Sequence, residues 1–437
     1  MSPLDRSEGI DLNGRMLVTS LALIIVTTAC TSGSESTVTT ASGFPTGSVG
    51  STVTSAAPAG TGIEDGMIGV GVMVPRTGPV AAFGEAALDG QNAYWAYVND
   101  VLGGVGGQFP VVVRVFDTAY DPDTAEDGFR ELSGSVVGIS GSLGTLIDER
   151  LGPLALNEGM LTMAGSLSSE WLGHGAVVPN LLLPTDRDQV AAGLVWATES
   201  EITGQTAILY QEGSYGEDCV GGYDGAVSDL GLSNVGRVAH ALTATDFGEV
   251  VGQLSSSGAA IVVACTTPDA LVRILATAGS LDFQPTWLVS PQSFDSSVPS
   301  ALGGDAGLDA GLAALERTWV LGARPPADSP AGQLLDDVFG DTAAASWYTL
   351  LGYSQAATFH LILEEALEAS DLTRPGLRAA TGRLDGIDLG LDGPLSSLVG
   401  PVPVSAAAVG AITADSYGLP FGVPASEEYV ASPFLDP

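Results

Sequence analysis

Lysine is missing from this chain altogether. The 14 basic residues are all arginine, and they face 51 acidic ones, for a net charge of -37. Such a chain has little with which to neutralise a phosphate backbone, so nucleic acid is excluded as a partner. An anionic membrane face is disfavoured for the same reason. A phosphate-cradling loop completed by lysine is excluded outright. The acidic surface reads as solubility, with attraction of a cationic ligand as the sharper alternative. Histidine occurs three times, as His174, His240 and His360, without metal-ligand spacing, so no zinc site and no cofactor are expected. No Gly-x-Ser-x-Gly turn is present, which removes a common hydrolase signature. Long apolar runs are also scarce. Residues 16–26 fall short of the roughly 20 needed to span a bilayer, and 351–367 is interrupted by Ser354, Gln355, His360, Glu364 and Glu365.

What is present is enough apolar residue for a real core, 45% of a chain of 437, with 58 glycines for close packing. The length exceeds one average domain, so two lobes with appendages are expected. The stretch that organises the rest is 66–100. Residues 67–74 form an apolar run suited to a strand covered on both faces. Pro75, Gly78 and Pro79 break it. Leu88, Asn92, Trp95, Ala96 and Asn99 then recur near helical spacing. In a parallel α/β sheet the loop after the first strand lies at the carboxyl edge, where ligands bind.

The amino terminus reads as an export signal. Arg6 and Arg15 precede the apolar run 16–26, and small residues lead to Cys30. That ending resembles the lipobox of bacterial lipoproteins, whose cysteine is lipidated. Thr27 stands where a larger aliphatic residue is usual, and Asp5, Glu8 and Asp11 are unusual in a signal. A plain secretory signal and a retained anchor are the alternatives. Residues 31–63, rich in Ser, Thr and Gly, read as a flexible tether with an r.m.s. span of about 30 Å.

Strand and helix signals alternate from Met67 onward, which predicts parallel sheets with right-handed crossovers. Strands are expected at 111–117, 136–140 and 161–164, with helices at 124–132 and 146–159. A crossing strand is expected at 179–184. The alternation then restarts, with helices at 189–200, 214–230, 247–256 and 269–278, and strands at 205–210, 235–241, 259–264 and 286–289. A strand at 318–322 is expected to return to the first lobe. Helices at 330–339 and 347–369 and a short one at 377–384 follow, and 389–424 yields no firm reading.

Strand ends bring Ser142, Thr145, Ala164, Gly165 and Ser166 to one edge, where helix-start N–H groups and hydroxyls favour a carboxylate. Capping alone is the competing reading for each hydroxyl. From the second half, Tyr215 follows a strand end and is placed to cover a small ligand, unless it packs on its own helix. Phe83 is its counterpart in the first half, and Thr266 and Gln292 also follow strand ends. A ligand ammonium needs a carboxylate, and Glu212, Asp218 and Asp186 all lie near suitable loops. Cys219 and Cys265 are placed at the same edge. An exported chain permits a disulfide between them, and two separate thiols remain the alternative.

Gly78-Pro79 with Phe83-Gly84, Ile139-Ser140-Gly141-Ser142, Leu183-Pro184-Thr185-Asp186 with Gln189, Tyr215-Gly216, and Trp287-Leu288-Val289-Ser290 occur in that order. Together they resemble the type I periplasmic solute-binding proteins, the leucine/isoleucine/valine receptors of ABC transporters. The resemblance covers about 63–366. It implies an α/β, two-lobed, periplasmic-binding-protein-like fold, each lobe a mostly parallel sheet flanked by helices, with a hinge between them. The expected organisation is a signal at 1–30, a tether at 31–63, lobe 1 at 64–184 and 317–396, and lobe 2 at 185–316 and 397–437. It further implies a monomeric, lipid-anchored receptor outside the cytoplasm, without catalysis, delivering an amino acid or analogue to ABC permease subunits. A ligand-sensing receptor domain not coupled to transport is the alternative, and an α/β enzyme the third.

Overall fold

The computed structural model describes residues 60–78, 80–295, 297–321, 347–387, 389 and 398, and the backbone of Ala406–Ala411 and Tyr429–Ala431. The expected signal, Cys30, most of the tether and the helix at 330–339 lie outside the described residues.

The first sheet holds β1 (Ile63–Glu64), β2 (Met67–Val74), β3 (Val111–Asp117), β4 (Gly138–Ser142), β5 (Thr162–Met163) and β6 (Val177–Val178). Strands β3, β2, β4, β5 and β6 run parallel in that spatial order, and β1 pairs antiparallel with the start of β2. Between them come α1 (Ala81–Asp100), α2 (Pro122–Ser133) and α3 (Thr145–Glu158). The buried residues of α1 include Ala87, Leu88, Gln91, Tyr94, Trp95 and Val98, one stripe at helical spacing. The side chain of Asp121 caps α2 by accepting from the Thr124 N–H at 2.8 Å.

The chain then builds a second sheet. Its elements are α4 (Asp186–Glu199), β7 (Thr206–Gln211), α5 (Ser214–Leu230), β8 (Asn234–His240), α6 (Gly248–Ser257), β9 (Ile261–Cys265), α7 (Pro268–Ser280), β10 (Thr286–Val289), α8 (Ser297–Gly303), α9 (Leu308–Ala314) and β11 (Thr318–Leu321). Strands β8, β7, β9, β10 and β11 are parallel neighbours in that order. Helices cover both faces. Leu271 and Ile274 of α7 pack on Leu209 and Val262, while Leu194 and Tyr223 pack on Ile208 and Val263. Helices α10 (Trp347–Glu368) and α11 (Arg374–Thr381) follow. Helix α10 lies against α1, where Tyr353 and Phe359 join Tyr94 and Trp95 in the first lobe's core. Finally β12 (Ala406–Ala411) and β13 (Tyr429–Ala431) extend the second sheet in antiparallel fashion.

Three expectations need correction. Residues 179–184 form no strand. The side chain of Asn180 accepts from the Leu182 N–H at 2.8 Å and from Ser354 Oγ at 3.1 Å, replacing a ladder with a turn. Strand β11 does not return to the first lobe. It pairs parallel with β10, so the return falls between Leu321 and Trp347. The strand expected at 136–140 runs Gly138–Ser142 instead.

Candidate functional site

Six strands direct their carboxyl ends at one cavity of about 100 Å³ between the two sheets. After β2 come Val80 and Phe83. After β4 come Leu143, Gly144 and Thr145, and after β5 Gly165, Ser166 and Leu167. The second lobe supplies Gln211 at the end of β7, Tyr215 in the first turn of α5, Thr266 and Thr267 after β9, Gln292 after β10, and Asp186 at the start of α4. Trp347, Tyr348 and Leu351 on α10 close the apolar side, and Phe83 stacks on Tyr348 with ring centroids 4.3 Å apart.

The first-lobe wall donates hydrogen bonds. Gly144 enters α3 at φ 110°, a conformation that admits glycine readily. Among the described residues no side chain caps α3, and the N–H groups of Thr145 and Leu146 meet no protein acceptor. These are the positive end of the helix dipole. Thr145 Oγ1 donates to Ser166 Oγ at 3.3 Å, and Ser166 Oγ also accepts from the Ser168 N–H at 3.1 Å. The proton of the Ser166 hydroxyl therefore remains for a guest.

Behind this wall sits Asp148, fully buried. It accepts from the Ser142 hydroxyl and, at 2.8 Å, from the Ser166 N–H. Burial pushes its carboxyl up to about 7, against the pull of those donors. This arrangement corrects two of the expected site residues. Ser142 spends its hydroxyl on Asp148 and on the Met163 carbonyl at 2.8 Å. Ala164 is buried, with its N–H on the Val178 carbonyl at 2.9 Å. Neither lines the cavity. The N–H groups of Gly165 and Ser166 are likewise used internally, so the uncommitted N–H donors lie at the start of α3.

The second-lobe wall accepts. Asp186 is 2% exposed. Its Oδ1 accepts from Gln292 Nε2 at 2.6 Å, and its Oδ2 has no hydrogen-bond partner. Burial holds its carboxyl well above the usual range, helped by the charge of Asp218, while the Gln292 bond works the other way. The Gln292 bond also fixes that amide, leaving Oε1 unpartnered. Of the other carboxylates considered, Glu212 is exposed. Asp218 accepts from the Ser169 N–H at 3.0 Å and the Arg187 N–H at 3.1 Å. Neither borders the cavity. Tyr215 Oη lies 2.6 Å from Ser290 Oγ.

Phe83, Thr145, Gly165, Ser166, Tyr215, Thr266 and Gln292 are thus brought together. Sequence reasoning missed Tyr120, Gln211, Trp347 and Tyr348. Gln211 ends β7 and was findable by the strand-end rule. Trp347 and Tyr348 carry no such signal, because their place depends on where the chain recrosses. Cys219 and Cys265, Cα atoms 6.7 Å apart, are joined as a disulfide between α5 and β9. Among the described residues no cluster of metal-ligating side chains occurs, and no helix is long and apolar enough to cross a membrane.

Two sheet-centred lobes with a polar–apolar cavity between their strand ends define a solute-binding protein. Residues 67–402 match the periplasmic binding protein family model, and the chain belongs to that family, which is one of binding proteins rather than enzymes. It is 24% identical over 198 residues to a Leu/Ile/Val-binding protein homologue of Brucella melitensis, an alignment covering 45% of this chain. The chain spans about half the length of that relative, 53%. Among solved structures it is similar to a fatty acid ABC transporter substrate-binding protein from Thermomonospora curvata, with TM-score 0.72, 22% identity, and 84% and 95% of the two chains covered. A branched-chain amino acid ABC transporter protein from Thermus thermophilus with bound valine gives TM-score 0.70 at 16% identity, covering 85% and 98%. A solute-binding protein from R. palustris in complex with benzoate gives 0.66 at 16%, covering 84% and 97%.

Proposed function

We propose that this protein binds a compact α-amino acid with an apolar side chain and hands it to an ABC permease outside the cytoplasm. The observation that carries the reading is the opposition of the two walls. Uncapped N–H groups and hydroxyls at the start of α3 suit a carboxylate, and the unpartnered Asp186 Oδ2 suits an ammonium. The stacked Phe83–Tyr348 pair, Trp347 and the leucines suit an apolar side chain. The fatty acid, valine and benzoate named for three structural relatives share a carboxylate. The export signal and the lipobox-like run to Cys30 support a lipid anchor, with the following Ser/Thr/Gly stretch as its tether.

The test is thermal unfolding of the purified chain against the twenty L-amino acids. Ligand at 100 times its dissociation constant adds about 2.7 kcal/mol of stability. Tyr215→Ala is expected to abolish most of that shift while leaving the unliganded melt within a few degrees. If no amino acid raises the melting temperature, the reading falls.

A further inference from the structure

On the second-lobe wall Ser290 Oγ lies between Tyr215 Oη at 2.6 Å and Ser293 Oγ at 2.7 Å. Ser293 Oγ also lies 3.1 Å from the Thr266 carbonyl and 3.3 Å from the Ala264 carbonyl, so this chain can run in either direction. A second chain starts at His240, which is 5% exposed and packs edge-on against Phe247. His240 Nδ1 lies 3.0 Å from the Ala241 carbonyl, which can only accept, so Nδ1 carries the proton. In the neutral ring Nε2 is bare, and Thr266 Oγ1 at 2.8 Å must donate to it. Burial lowers the pKa of His240, which keeps the ring neutral near pH 7. The Thr266 hydroxyl, which borders the cavity, thus turns its proton away from it. Gln292 Oε1, which has no partner, faces the cavity as an acceptor beside it, and Asp186 Oδ2 joins them when its carboxyl is ionised, on a wall that also carries the Thr267 hydroxyl and the Gln211 amide.

We infer that His240, which does not itself line the cavity, sets solute selectivity by taking the hydroxyl proton of Thr266, so that the wall accepts head groups rich in N–H bonds and rejects their oxygen analogues. The inference rests on the cavity being the solute site, as proposed above. It adds a positioning residue and names what that residue discriminates. A primary ammonium meets this wall with three donors. A hydroxyl in its place brings one donor, and its lone pairs face those of the wall. Such a mismatch is the kind that buried polar sites punish most strongly.

Isothermal titration of the full-length chain with matched pairs tests this. The pairs are L-valine with L-2-hydroxy-3-methylbutanoate, and L-phenylalanine with L-phenyllactate. Wild type is expected to prefer the amino member by at least 30-fold in each pair that binds. His240→Phe keeps the packing on Phe247 but frees the Thr266 proton to point into the cavity, and the preference should shrink by tenfold or more. Thr266→Val should shrink it similarly and Thr266→Ser should retain it, which keeps the test open if His240→Phe does not fold. A preference unchanged in both His240→Phe and Thr266→Val overturns the role of His240 while leaving amino-acid binding intact. Equal wild-type affinity for the two members of a pair overturns it as well. Failure of every probe to bind wild type removes the solute reading itself, and this inference with it.

Discussion

At the residue scale the most consequential group is Asp186. Its carboxyl is raised by burial and by the neighbouring charge of Asp218. A ligand ammonium beside Oδ2 would favour the ionised form and lower that pKa again. Below the raised value, binding must therefore expel a proton. The sign follows: affinity for an amino acid strengthens as pH rises toward that pKa and levels off above it, by at most tenfold per pH unit. Titration calorimetry between pH 5 and 8, in buffers of different ionisation enthalpy, reads both the slope and the released proton. Asp186→Asn should bind more weakly and show a flat profile. A wild-type profile as flat as the variant's would remove Asp186 from the ammonium site. Asp148, raised to about 7, is a different case. Its partners, the Ser142 hydroxyl and the N–H groups of Ser166 and Gly165, belong to the first lobe, so its protonation bears on the folded state. Between its ordinary range and about pH 7 the folded chain holds a proton that the unfolded chain has lost, and its contribution to stability grows as pH falls.

At the element scale, the packing of α1 on α10 decides where Trp347, Tyr348 and Leu351 meet Phe83. Those helices approach closely because glycines lie at their crossing. A Cβ on Gly352 would stand 1.9 Å from the Ala87 carbonyl oxygen, and one on Gly90 would stand 2.0 Å from that of Thr349. Backbone atoms cannot yield as a flexible side chain does, so the helices would have to separate. Gly352→Ala is expected to cost about 1–3 kcal/mol of stability. Gly252→Ala, inside α6 with nothing within 4 Å of its added carbon, should be neutral or gain up to about 1 kcal/mol. Chemical denaturation of the two variants makes the comparison, and equal effects would refute the close-approach argument. Strand and helix positions were mostly legible where a segment of regular pattern was bounded by glycine or proline. Residues 67–74, 111–117 and 214–230 are elements with those bounds. The run of leucines at 181–183 misled for the same reason, because it is apolar and flanked by prolines. What decided it was a hydrogen bond donated to Asn180 by Ser354, 174 residues away, which no local pattern carries. The site divides in the same way. Strand-end rules found Thr145, Ser166, Tyr215 and Gln292. They also admitted Ser142, whose hydroxyl is satisfied inside the lobe by a carboxylate that becomes its neighbour only through the fold.

At the scale of the whole molecule, a net charge of -37 opposes bringing two acidic lobes together. The facing ends of the lobes carry that conflict. Glu170 is raised first by burial and then by the charges of Glu149 and Asp218. What offsets it are hydroxyl donors reaching across. The Ser214 hydroxyl of α5 donates to Glu149 of α3, and Ser169 Oγ, between β5 and β6, donates to Asp218 of α5 at 2.5 Å. Neither serine lines the cavity. If solute is captured by closure of the lobes, these bonds form with it and contribute to affinity without touching the guest. Ser214→Ala leaves the Glu149 carboxylate partly buried, unpaired and still facing Glu170, so both of its effects favour opening. A hydrogen bond to a charged group is worth about 1.5–3 kcal/mol, so discounting for partial exposure gives about tenfold weaker solute binding. Ser169→Ala is expected to act in the same direction by less, because the Ser169 N–H still reaches Asp218 at 3.0 Å. The double variant should approach the product of the two, the contacts having no shared partner. Titration calorimetry gives the affinities, and small-angle scattering gives the radius of gyration with and without solute. The expected pattern is weaker binding with an unchanged radius for the saturated form. Unchanged affinity in the double variant would mean that these clasps do not form part of closure, and that the cavity walls alone hold the guest.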